Sequence, residues 1–192
     1  MTKKTTLRTR VLLGTVVAAA LGAGTFGAVT ANAAGPSAAP AAAPAAVPAA
    51  ADSTKSRNTT QSTHLTADAA VRAAQAALDA AEDANQKVTV AVVDRNGNTV
   101  VTLRGDGAGP QSYESAVRKA YTAVSWNAPT SVLAGRLAQA PNLKDIPNTL
   151  FLAGGAPVTA KGAPIAGIGV AGAPSGDLDE KFAQAGVAAL GR

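Results

Sequence analysis

Asp79 and Glu82 stand at positions i and i+3, with Asp83 beside them, in a stretch whose apolar residues recur at helical spacing. That spacing carries the Asp79 and Glu82 carboxylates onto one helical face. All three acids fall in the second half of the expected helix. The helix dipole disfavours negative charge there, so a bound cation would relieve the repulsion. Oxygen donors suit hard ions, including ferric or ferrous iron with water completing the shell. The same three residues would equally serve as a solubilising face, and the sequence leaves both readings open.

Other reactive types are scarce. His64 is the single histidine, Tyr113 and Tyr121 are the only tyrosines, and cysteine is absent. Without cysteine there is no thiolate zinc site, no iron–sulfur cluster and no thiol nucleophile. Ser115 and Lys119 lie one helical turn apart, but such pairs are common by chance. No triad can be composed, and no catalytic residue is assigned. The stretch Gly105-Asp-Gly-Ala-Gly109 separates a strand ending at Arg104 from a helix. Amides at a helix start favour anions, and Arg104, Arg118 and Lys119 are the cations at hand. The stretch lacks the Lys-Ser/Thr of a phosphate-binding loop, so it does not point to nucleotide.

The elements that must position these groups can be read from periodicity. A first helix is expected over 67–85, capped by Thr66, with Asp68 in its first turn. Its apolar stripe is Val71, Ala74, Leu78 and Ala81. Lys87 to Asp94 and Thr99 to Arg104 read as a hairpin around Asn96-Gly97. A second helix follows Ser112 and reaches Trp126, with Ala116, Val117, Ala120 and Val124 facing inward. Pro129 breaks it. Thr130 can cap a third helix, with Val132, Leu133 and Leu137 inward, ending before Pro141. Three more strands are expected, at Thr149–Ala153, Pro157–Thr159 and Ile165–Val170. Glycines 167, 169 and 172 suggest close backbone approach. A last helix covers 178–190, with Asp177 and Glu180 as a capping-box-like start and Leu178, Phe182, Ala185 and Ala189 buried. The order α-β-β-α-α-β-β-β-α implies an α/β (α+β) fold, a five-stranded, mainly antiparallel sheet packed with helices. It is not a doubly wound nucleotide fold.

The globular part is expected over 64–192. Residues 1–10 carry Lys3, Lys4, Arg8 and Arg10 and no acid. An apolar and small run follows, and Ala31-Asn32-Ala33 fits a cleavage pattern. Residues 1–33 therefore read as a secretory signal. A membrane anchor is the competing reading. Arg8 and Arg10 flank Thr9, which leaves the export route open. Residues 34–63 are Ala/Pro-rich and then polar, the composition of a disordered linker. The chain is expected outside the cell, secreted or associated with the cell wall. The 192-residue chain has 17 basic and 12 acidic residues, a formal net charge of +5. Four of the basic residues lie in 1–33, so the remainder keeps 13 basic and 12 acidic. No clustered cationic surface remains, and nucleic acid is not an expected partner.

Several segments together resemble a known family. Val88-Thr-Val-Ala-Val-Val-Asp94-Arg-Asn-Gly97-Asn is similar to the first hairpin of GlcG-like proteins. Ser115-Ala-Val-Arg-Lys119-Ala-Tyr-Thr122-Ala is similar to their central helix. Leu152-Ala-Gly154-Gly155-Ala-Pro157-Val and Ile165-Ala-Gly167-Ile-Gly169-Val-Ala-Gly172-Ala-Pro174 are similar to their closing strands. The likeness spans about 65–190, and within the family it is strongest to the secreted haem-binding, haem-degrading members. It implies a profilin-like sandwich, a homo-oligomer (an octamer), bound haem and iron, and a membrane sensor histidine kinase as partner in redox sensing. Haem degradation would then use the iron and peroxide chemistry of the cofactor. Haem iron needs an axial donor. His64 is one candidate, although a lone histidine before the first helix more often is a solvated linker residue, and the hydroxyls of Thr149 and Thr122 are two more. Arg104 is a candidate for the haem propionates, with Arg118 and Lys119 as further options. The resemblance also links an Asp-x-x-Glu surface motif, here Asp79 and Glu82, to iron. Two other readings stay open: a non-haem small-molecule binding module or enzyme of the GlcG-like type, and a purely structural oligomeric partner of a receptor.

Overall fold

The computed structural model describes residues 54–191; the expected signal segment and most of the expected linker lie outside the described residues. Residues 54–66 are largely exposed, with one short 3-10 turn at Ser56–Asn58. The body begins with α1 (Ala67–Asp83), β1 (Thr89–Asp94), β2 (Thr99–Arg104) and α2 (Gln111–Trp126). It continues with α3 (Thr130–Gly135), β3 (Gly155–Ala160), β4 (Ala163–Ala171) and α4 (Gly176–Ala189).

The sheet has four strands in the order β2-β1-β4-β3, every neighbouring pair antiparallel. The fold class agrees with the sequence expectation, but the strand number is four rather than five. Residues 149–153 do not join the ladder. Their neighbouring amides go to side chains instead: Leu150 N–H donates to Thr122 Oγ1 at 2.8 Å, and Gly155 N–H to Thr130 Oγ1 at 2.7 Å. Satisfied that way, the segment needs no strand partner.

Strand alternation divides the core into two layers. Val88, Val90, Val92, Ile168 and Val170 meet the alanine-rich α1 and Phe182 and Ala183 of α4. On the opposite face Ala91 and Val93 meet Ala116, Ala120 and Val124 of α2. The α2 helix lies almost on the backbone of β4. A Cβ at Gly167 or Gly169 would run into the carbonyls of Ala120 and Ala116, so only glycine permits this approach.

Helix ends partly follow expectation. The Thr66 hydroxyl accepts from Ala69 N–H at 3.2 Å, capping α1 as expected. The α4 cap is Ser175, whose hydroxyl accepts from Leu178 N–H at 3.2 Å, not an Asp177/Glu180 box. Thr130 is the first residue of α3 rather than its cap. Val71 and Val132 face solvent, because Ala70, Ala73, Ala74, Ala77 and Ala81 supply the buried side of α1 and Leu133 that of α3.

Candidate functional site

Glu114, Val117, Arg118 and Tyr121 recur at i, i+3, i+4 and i+7 along α2 and so form one stripe on its outer side. With Gly97 of the β1–β2 turn and Asn148 they line a half-open cleft of about 330 Å³, within the size range of small-ligand sites. The turn fits against Tyr121 because residue 97 is glycine. Its φ is +89°, and a Cβ there would stand 2.7 Å from Tyr121 Cε2.

The third wall is the loop at 146–150, and α2 fixes it in place. Arg118 Nη2 donates to the Thr149 carbonyl at 2.7 Å. Thr122 Oγ1 accepts from Leu150 N–H and donates to the Arg118 carbonyl at 2.8 Å. Thr149 Oγ1 donates to the Ile146 carbonyl at 2.7 Å. Asn148 takes the left-handed conformation that this turn requires, with φ +64°. Just beyond, Phe151 packs edge-on to Trp126, ring centroids 5.2 Å apart. Thr122 and Thr149 are thus brought together behind the cleft wall, both fully buried and both hydrogen-bonded to backbone.

The β1–β2 turn is itself well braced. Asp94 Oδ1 accepts from Asn96 N–H at 2.8 Å and from Asn98 N–H at 2.9 Å. Burial works against the charge of Asp94. The hydrogen bonds from the Asn98 amide and side chain and the Asn96 amide, together with the nearby His64, outweigh it and hold the carboxyl below its usual range. His64 is exposed, and its Nε2 lies 2.6 Å from Ser62 Oγ.

The remaining expected residues are dispersed. Lys119 does not line the cleft. Its ammonium is buried against Asp179 Oδ2 at 2.8 Å and the Val170 carbonyl at 3.0 Å. Burial dominates at Asp179 and lifts its carboxyl above the ordinary range, against the pull of Lys119 and the amides of Ala173 and Gly172. Beside it the buried Glu180 accepts from Ser131 N–H at 2.9 Å, Ser131 Oγ at 2.6 Å and Gly154 N–H at 3.3 Å. The Arg104 guanidinium donates to the Ala108 carbonyl within its own loop.

Among the acids, Asp79 Oδ1 accepts from Gln75 Nε2 at 2.7 Å on the exposed face of α1. Glu82 lines a polar cleft of about 480 Å³ with Lys87, Gly105 and Asp106. Asp83 borders a different, mostly apolar groove with Leu178, Lys181 and Phe182. Among the described residues no group of three or more His, Asp and Glu side chains is gathered as for a metal ion. A cation at Asp79 and Glu82 would rely on water for most of its shell.

Val117 faces inward as expected, packing partly buried against Ala116 and Val124, and its outer edge also borders the cleft. Sequence reasoning did not see the stripe as a cleft wall, although the spacing at 114, 117, 118 and 121 carried that signal. The Asp179–Glu180 network was missed because its partners lie far away in sequence.

The comparisons with known proteins match the same body. Residues 65–188 match the family described as "Haem degrading protein HbpS-like". The chain belongs to that family. A crystal structure of a double mutant of Streptomyces reticuli HbpS is 74% identical, covers 78% of this chain and 100% of that chain, and superposes with a TM-score of 0.72. A further HbpS crystal structure is 76% identical over 72% of this chain and 99% of that chain, with a TM-score of 0.72. A PduOC–haem complex is 27% identical over 66% and 95% of the two chains, with a TM-score of 0.61. No curated protein sequence matches.

Proposed function

We propose that this chain is an exported haem- and iron-binding protein that degrades haem and serves as a redox and haem-stress accessory to a membrane sensor histidine kinase. The observation that carries the haem reading is the family match over 65–188, supported by a structural relative that is itself a haem complex. The 74–76% identity to HbpS supports extending the reading to this body as a whole. Export rests on the leader pattern of 1–33. A homo-oligomer, octameric by the family resemblance, is part of this reading.

The α2 cleft, about 330 Å³, has room for one edge of a porphyrin rather than the whole ring. The α2 cleft offers an apolar and aromatic wall, a cation and a braced loop, the mixture that small-ligand sites show. Thr122 and Thr149 would hold the loop that shapes this cleft, and either hydroxyl would have to release a backbone partner to reach iron. His64, exposed near the turn, would have to release Ser62 Oγ or use its other ring nitrogen to serve as an axial donor. Arg104 and Lys119 are the less available cations, since one is engaged in its loop and the other is buried. Bound haem would supply redox chemistry at its iron, and the protein orientation and access. Asp79 and Glu82 would take iron released or offered at the surface.

The degrading activity is tested by incubating the 34–192 chain with hemin and hydrogen peroxide and following iron release to a chelator. Release faster than from free hemin is expected. Release no faster than from free hemin removes the degrading activity.

A further inference from the structure

We infer that Arg118 is the residue through which the α2 cleft recognises a carboxylate on its ligand, and that Glu114 opposes it. This rests on the haem reading above and adds which edge of the porphyrin enters. Arg118 is the cation among the residues lining the cleft. Its side chain is partly exposed, at 38%. One guanidinium nitrogen is committed to the Thr149 carbonyl. That bond aims the planar group and leaves other N–H donors for a ligand oxygen. Tyr121 stands one turn further along the same stripe, its ring seated against Gly97. The cleft therefore offers a cation and an aromatic face side by side, which suits a flat ring bearing a carboxylate.

Glu114 supplies the opposing element. Its carboxylate lies 3.9 Å from Arg118 Nη1 and is 79% exposed. An incoming carboxylate must displace this weak contact and then tolerate the neighbouring negative charge. The other cations considered for a propionate do not line this cleft. Lys119 is paired with Asp179 in the interior, and Arg104 holds its own loop.

The test uses two metal-free probes, protoporphyrin IX and its dimethyl ester, titrated into the 34–192 chain and followed by fluorescence. The wild type should prefer the free acid. Arg118→Gln should weaken the acid about tenfold more than the ester, the scale of one charge-assisted hydrogen bond, because any loosening of the loop held at Thr149 falls on both probes alike. Lys144→Gln sets the background for losing any surface charge. Glu114→Gln leaves the Arg118–Thr149 bond in place and should strengthen the acid about twofold, an effect that fades at high salt. If Arg118→Gln lowers acid and ester equally, or neither, or if Glu114→Gln leaves the acid unchanged at low salt, the assignment is overturned while porphyrin binding stands. If the wild type binds neither metal-free probe, this inference falls, while the haem reading stands or falls with the hemin titration, where the axial bond of the iron contributes.

Discussion

The ammonium of Lys119 meets the carboxylate of Asp179 at 2.8 Å, with both side chains almost wholly removed from water. The contact ties the helix that forms the cleft to the start of α4, 60 residues on. Removing one partner strands a buried charge, so Lys119→Met is expected to cost about 3–5 kcal/mol, and Lys119→Met with Asp179→Leu considerably less. The pH dependence has a definite sign. A carboxyl whose folded value is raised contributes stability that is complete below its unfolded value and lost as pH rises through the folded one. Without Lys119 the Asp179 carboxyl climbs further. The deficit of the single variant, read by urea denaturation, should therefore shrink between pH 7 and pH 5. A deficit equal at both values would contradict this account.

Thr122 is expected to act through the loop it holds. Thr122→Val keeps the shape and leaves the Leu150 amide without a partner, a loss of about 1–3 kcal/mol. Thr122→Ser restores the hydroxyl and should recover most of it. Equal stability of the valine variant and the wild type in chemical denaturation would show that the loop does not depend on this bond.

Gly97→Ala is expected to damage the cleft twice. The positive φ costs roughly 1–2 kcal/mol for an L side chain, and the new methyl displaces the Tyr121 ring. Combining it with Tyr121→Ala should remove the second cost and leave the first. The two changes would then be non-additive in a double-mutant cycle, whereas strictly additive losses would mean that the turn and the ring are uncoupled.

Asp79→Ala with Glu82→Ala should lower the iron retained after gel filtration, measured by metal analysis. Both residues sit at the exposed C-terminal half of α1, so the fold should be unaffected. Unchanged iron would return these carboxylates to a solubilising role.

What the sequence made legible was whatever repeats locally. The α1 cap at Thr66, the Asn96-Gly97 hairpin and the glycines under α2 each carry their signal within a few residues. The segment at 149–153 has the apolar run of a strand, yet Phe151 is drawn onto Trp126 and Leu152 is left exposed. Its fate is decided by the Thr122 and Thr130 hydroxyls, which no local pattern reveals. Glu180 reads as half of a capping box with Asp177, and Asp179 carries no local signal, for the same reason. Their partners on α2, α3 and the loop before β3 come from folding, not spacing. The cleft was half legible: Arg118 and Tyr121 stood out as residue types, but their shared face with Glu114 and Val117 emerged only against the braced loop.

The central claim is that this body binds haem, and stoichiometric titration of hemin into the 34–192 chain, followed in the Soret region, tests it most directly. The account predicts a shifted, saturable band with a sharp end point. A spectrum that remains that of free hemin at every ratio would contradict it.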